Sequence, residues 1–264
     1  MLTIGVLLLC LGTVIAQFPR ECTTSEALQN KNCCPLFKGS PCGATFGRGT
    51  CQIVPQSRAK PTDRVTVDDR MDWPIFFYNT TCRCYGNYDG ANCGHCRSSW
   101  NGSDCSTRLN IQRREFRQYT EVERTEFIAK LNYCKALPCT EYVILTSGDR
   151  RYKDTFKFRD ASYYDIFVHA HYYASKPIMG VNVDYNFAYG SSGFLTWRRR
   201  ALHFFEHLMR ICTGDDMFVS PYGDWRSDSG CFFCNDENMG DSDSQGVLSQ
   251  FSVFSSWGVS IEYF

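Results

Sequence analysis

The sequence predicts a mainly α chain preceded by a small disulfide-rich module. Three observations predict it. Ten of the sixteen Cys fall between Cys22 and Cys105, in a stretch with little helical periodicity and much Gly and turn chemistry. From residue 108 onward, apolar residues recur at helical spacing. An apolar leader in front of both sets the compartment in which so many Cys make sense.

The leader comes first. Leu2 to Ile15 is apolar, too short to span a bilayer, and ends in Val14-Ile15-Ala16, with small residues where signal cleavage needs them. Cutting after Ala16 removes Cys10 and starts the mature chain at Gln17. Residues 1–16 are therefore read as a signal peptide, and the rest as lumenal or secreted. No apolar stretch after Ile15 is long enough for a transmembrane anchor. Lys plus Arg number 28 and Asp plus Glu number 28, so bulk charge draws the chain neither to nucleic acid nor to an anionic membrane.

Residues 17–107 follow as the Cys-rich module. In a secretory setting these Cys read as a disulfide framework. Cys93-Gly94-His95-Cys96 has the spacing of a zinc or redox motif, but an oxidising lumen favours disulfides. Two sequons, Asn79-Thr80-Thr81 and Asn101-Gly102-Ser103, suit glycosylated loops at Asn79 and Asn101. Residues 53–72 are polar and Pro-containing, a surface excursion.

Residues 108–264 form the helical part. Thr120-Glu121-Val122-Glu123 has capping-box spacing, with Phe127, Ile128 and Leu131 as the stripe that follows. Tyr163 to Ser175 is a second helix, apolar around most of its circumference and so buried in a bundle. Trp197 to Cys212 is a third, stopped by Gly214.

Several motifs in order resemble the tyrosinase family of the vertebrate type. They are Gln17-Phe18-Pro19-Arg20, Cys33-Cys34-Pro35, Gly47-Arg48-Gly49-x-Cys51, Asp68-Asp69-Arg70-x-x-Trp73-Pro74, the Cys82–Cys105 block, Pro221-Tyr222-x-Asp224-Trp225-Arg226 and Phe254-Ser255-Ser256-Trp257. The resemblance covers about residues 17–257, and the second half of the Cys-rich module resembles an EGF-like unit. It implies a type-3 copper four-helix bundle in which six His hold two coppers. The implied activity is hydroxylation of monophenols and oxidation of o-diphenols (tyrosine- or DOPA-like phenolic substrates) in melanin synthesis, in a melanosome-type compartment. The implied disulfides are Cys22 with Cys33, Cys34 with Cys51, Cys42 with Cys82, Cys84 with Cys93, Cys96 with Cys105, and Cys231 with Cys234. Cys134 and Cys139 are expected to pair locally, leaving Cys212 over.

Residues 163–200 resemble the family's first copper half-site with most ligands replaced. The resemblance assigns the metal positions to His171, beside Tyr172-Tyr173, to Tyr189 after Phe187-Ala188, and to Arg198 after Phe194-Leu195-Thr196-Trp197. One imidazole of three remains. The whole chain holds five His, and His169 and His171 lie two apart, roughly 200° around a helix. The second half-site belongs to later helices, and the chain ends at Phe264 before them. The expectation is a degenerate member with no catalytic residue, copper not bound as a pair, and a bundle face left bare at Phe167 and Tyr172. The alternative is part of a working phenol oxidase. A third reading is a zinc peptidase, because His203-Phe204-Phe205-Glu206-His207 fits H-x-x-E-H. That short pattern recurs by chance, and it falls on a helix whose Glu206 matches a residue the family uses anyway.

Overall fold

The computed structural model describes residues 17–54, 77–149, 152–175, 188–189, 193–224, 226 and 230–258. The leader, most of the 53–72 excursion, Trp73-Pro74, Phe187 and Trp225 lie outside the described residues. The elements are β1 (Gln17–Pro19), α1 (Ser25–Asn30), β2 (Asn32–Cys33), β3 (Leu36–Phe37), β4 (Ser40–Pro41), β5 (Gly49–Ile53), β6 (Thr80–Cys84) and β7 (Tyr88–Asp89). Then come β8 (His95–Cys96), β9 (Trp100–Asn101), β10 (Thr107–Arg108), α2 (Glu121–Ala136), β11 (Tyr142–Asp149), β12 (Tyr152–Arg159), α3 (Tyr163–Ser175) and α4 (Phe194–Thr213).

The mainly α expectation does not hold. The structure is 34% helix and 22% strand, the proportions of a mixed protein. Of the four α-helices among the described residues, α1 has only six residues, so what is seen there is three long helices backed by a sheet. Much of the difference is the hairpin β11–β12, where Val143-Ile144-Leu145-Thr146 favours a strand and Phe156 and Phe158 alternate with polar neighbours. β1 pairs antiparallel with β11, matching Gln17 to Ile144 and Pro19 to Tyr142, so the segment at Gln17 is stitched to a strand more than a hundred residues away. Phe18, Cys22, Leu28, Cys33, Phe77, Tyr78 and Val143 form the core beneath that junction.

Disulfides set the Cys-rich segment. The structure bonds Cys22 to Cys33, Cys34 to Cys51, Cys42 to Cys82, Cys84 to Cys93, Cys96 to Cys105 and Cys231 to Cys234. Arg48 is the polar rivet: its guanidinium donates to the carbonyls of Cys93 and Gly94, each at 3.2 Å, and to that of Ser103. It also lies over Phe37 at 4.2 Å and Tyr88 at 4.5 Å. Gly49 beside it cannot be larger, since a Cβ there would stand 2.6 Å from Cys93 Sγ and 2.7 Å from the Arg83 carbonyl. Arg48-Gly49 is thus a packing requirement, while Gly47 is required by its left-handed φ of 67°.

The expected local pairing of Cys134 and Cys139 is wrong. Cys134 on α2 is bonded to Cys212 on α4, and Cys139 is a buried free thiol. Cys134 lies inside α2 against α4, whereas Cys139 lies beyond the end of α2 at Ala136, its N–H on the Ala161 carbonyl.

The helices follow local chemistry. Thr120 and Glu123 close a capping box: Glu123 N–H donates to Thr120 Oγ1 at 3.2 Å, and Thr120 N–H to Glu123 Oε2 at 2.8 Å. Ser162 caps α3, its Oγ accepting from Asp165 N–H at 3.0 Å. Gly214, at φ 69°, ends α4 with its N–H on the Arg210 carbonyl. α4 begins one turn earlier than its apolar pattern suggests, at Phe194. The three helices pack on Ile128, Leu131, Ile166, Phe205, Leu208 and Met209. Phe167, expected on a bare face, is half-buried against Phe205 at 4.9 Å between ring centres. No helix among the described residues is long and apolar enough to cross a membrane.

Candidate functional site

The positions 171, 189 and 198 come together where α3 meets the start of α4. Arg198 Nη1 donates to His171 Nε2 at 3.0 Å. Burial first, and the Arg198 charge second, hold the His171 pKa below its ordinary value. The imidazole is therefore neutral at pH 7, with its Nε2 lone pair given to the guanidinium. That guanidinium stacks over Tyr189 at 4.4 Å and lies 5.4 Å and 5.7 Å from the Phe194 and Trp197 ring centres. The His171 ring meets Trp197 edge-on at 5.2 Å and Tyr189 at 6.0 Å. His169, two residues back, points elsewhere: it is buried and stacked on Tyr173.

A copper ion does not fit this donor set. Copper favours several neutral imidazoles. Here the one imidazole nitrogen that faces the cluster already accepts a hydrogen bond, and the donor is a permanent cation at the third ligand position. The aromatic rings that would wall a metal instead embrace the guanidinium.

The His203-x-x-Glu206-His207 motif does not assemble a zinc site either. Glu206 is a buried anchor. Its carboxylate accepts from Arg113 Nε at 3.0 Å, from Arg113 Nη2 at 2.9 Å on each oxygen, and from Ser220 N–H at 3.1 Å. A general base works best unencumbered, and here the Glu206 carboxylate is clamped across both oxygens by the permanently charged Arg113 guanidinium. His207 turns away from it toward His95, with ring centres 5.7 Å apart. The one convergence of metal-ligand atoms among the described residues is Cys34, Cys42 and Cys82, all in disulfides.

Two further features were not legible as sites. His95 Nε2 contacts Glu141 Oε1 across the junction of the Cys-rich and helical segments, and no local spacing signals a contact between residues 46 apart. The Arg113–Glu206 pair, 93 residues apart, is equally silent in sequence. Of the sequon residues, Asn79 is exposed, while Asn101 donates from Nδ2 to Asp216 Oδ2 at 2.6 Å.

Residues 161–259 match the common central domain of tyrosinase. The chain is 42% identical over 268 residues to a tyrosinase of Coturnix japonica, covering 97% of this chain and 98% of that one. It is 44% identical over 270 residues to a tyrosinase of Pelodiscus sinensis, covering 97% and 99%. Against the tyrosinase of Gallus gallus it is 41% identical over 268 residues, covering 97% of this chain but 51% of that protein.

Proposed function

The chain belongs to the tyrosinase family, a copper-dependent family that acts on phenols, and from that premise we propose that this member is catalytically degenerate. The observation that carries the proposal is the Arg198 guanidinium hydrogen-bonded to His171 Nε2 at 3.0 Å and packed on Tyr189. It supports a protein that keeps the family frame and has replaced its metal chemistry with an internal cation. The seven disulfides among the described residues belong to an oxidising, extracellular or lumenal setting. In that setting we read it as a secreted or melanosome-type glycoprotein with a structural or binding role through its Cys-rich segment. Asn79 is its better-placed glycan acceptor.

The test is copper loading followed by metal analysis and an o-diphenol oxidation assay. The expected result is no copper pair and no turnover; two coppers per chain with turnover overturns the proposal. A paired variant, Tyr189→His with Arg198→His, is expected to gain copper at this half-site, which separates ligand loss from misfolding. The second reading, a copper-dependent monophenol and o-diphenol oxidase, rests on the identity to proteins named tyrosinase, some about twice the matched length. The same assay decides it.

A further inference from the structure

Two imidazoles face each other where the Cys-rich segment meets α4. His95 lies in β8, its ring seated against Gly90, where an added Cβ would stand 2.9 Å from His95 Cδ2. Its Nε2 contacts Glu141 Oε1, in the turn that leads into β11. The His207 ring, from α4, meets it edge-on at 5.7 Å. Asp89 of β7, Arg48 before β5 and Arg210 of α4 are the other charges that act on the pair. Arg20 is committed nearby, with its N–H on the Glu141 carbonyl at 2.8 Å and its guanidinium on Asp160 at 2.6 Å.

We propose that His95, Glu141 and His207 form a pH-dependent latch between the Cys-rich segment and α4, fastened when the two imidazoles hold one proton between them. With one proton on His95, the Glu141 contact is a charge-assisted hydrogen bond and the neutral His207 ring packs against it without repulsion. With two protons, adjacent imidazolium rings repel. With none, the half-buried Glu141 carboxylate loses its counter-charge while Asp89 still adds a negative one.

The titration directions agree with this geometry. Burial alone would lower the His95 pKa, but the hydrogen bond and charge of Glu141, then Asp89, outweigh burial and Arg48 and raise it. His207 is lowered, first by burial, with Asp89 and Glu141 recovering only part against His95 and Arg210. A raised His95 stabilises fully below its ordinary 6.5 and loses that contribution as pH climbs through its folded value. A depressed His207 stabilises above its ordinary 6.5 and loses its contribution as pH falls through its folded value. The latch is therefore tightest in a window around 6.5, the ordinary value shared by both rings.

The experiment is an NMR titration of the histidine rings in the full chain, assigned with His95→Gln and His207→Gln. Two titrations on opposite sides of 6.5 are expected, with His95 above and His207 below. Glu141→Gln is expected to bring the His95 titration down. Amide exchange in β7 and β8, corrected for its intrinsic pH dependence, is expected to be slowest inside the window. Titration of both rings on the same side, an unmoved His95 in Glu141→Gln, or protection that varies monotonically with pH would each overturn the latch. Because the wild-type titration alone can refute it, a variant that fails to fold does not shelter the proposal.

Discussion

Replacing Glu206 with Gln tests whether that carboxylate is a structural anchor or an unused general base. The substitution keeps the shape and changes two things. It removes the charge, and it turns one acceptor oxygen into an NH2 that faces Arg113 Nη2, donor against donor, at a separation that was 2.9 Å. The oxygen that remains can still serve Arg113 Nε and Ser220 N–H. Removing one partner of a buried ion pair costs about 3–5 kcal/mol when the other charge stays stranded. Here the strandedness is partial: the Arg113 side chain is 36% exposed and regains water, whereas Arg210, 3.8 Å from Glu206 Oε2, is only 10% exposed and does not. Discounting for the exposed partner leaves about 2–3 kcal/mol. For a chain of this size that is a fall of roughly 4–12 °C in the unfolding midpoint. Calorimetry at pH 7 with all disulfides intact reads it directly. An unchanged or higher midpoint would refute the anchor and return Glu206 to the zinc-peptidase reading, in which a catalytic carboxylate is held at a cost to stability.

Four other outcomes follow from the structure. The double variant Cys134→Ala, Cys212→Ala opens a loop of sequence separation 78, and loop entropy sets its cost at about 4.5 kcal/mol, to be read as a drop in denaturant midpoint; Cys139, the one free thiol among the described residues, is expected to alkylate before reduction, and slowly, since burial first raises its pKa. Gly49→Ala forces a Cβ against Cys93 Sγ and the Arg83 carbonyl, so a loss of about 1–3 kcal/mol and scrambling of the Cys84–Cys93 bond in peptide mapping are expected. Enzymatic deglycosylation is expected to shift mass mainly through Asn79, because the Asn101 amide is held by Asp216; equal occupancy of both sites would contradict that.

What was legible in the sequence was what is local. The α2 capping box, the span of α3 and the Gly214 stop each depend on residues within a turn of one another, so spacing alone reveals them. The resemblance singles out positions 171, 189 and 198, but their mutual geometry is not legible from it: that Arg198 reaches back to take the lone pair of His171 depends on how α4 crosses α3. The mainly helical reading of residues 108–264 does not anticipate the β11–β12 hairpin, although residues 142–159 carry β-branched and alternating aromatic content. Cys134–Cys212, Arg113–Glu206 and His95–Glu141 join residues far apart in the chain, and only the closed fold brings them together.

On the proposed degenerate reading, the helix crossings are held together by links that need no metal. α2 is bonded to α4 by Cys134–Cys212, α2 to α3 by Lys135 and Asp165, and α3 to α4 by His171 and Arg198. The covalent tie alone is worth about as much as several charged hydrogen bonds. Every pair of long helices therefore has a link that needs no ion, and the aromatic wall of the half-site is already filled by a guanidinium. If the helices were instead held by a metal, its removal would cost folding free energy directly. The unfolding midpoint is accordingly expected to be the same before and after exhaustive treatment with a copper chelator. A fall on chelation, restored by copper, would mean that the Arg198–His171 contact gives way to metal and that the degenerate reading is wrong.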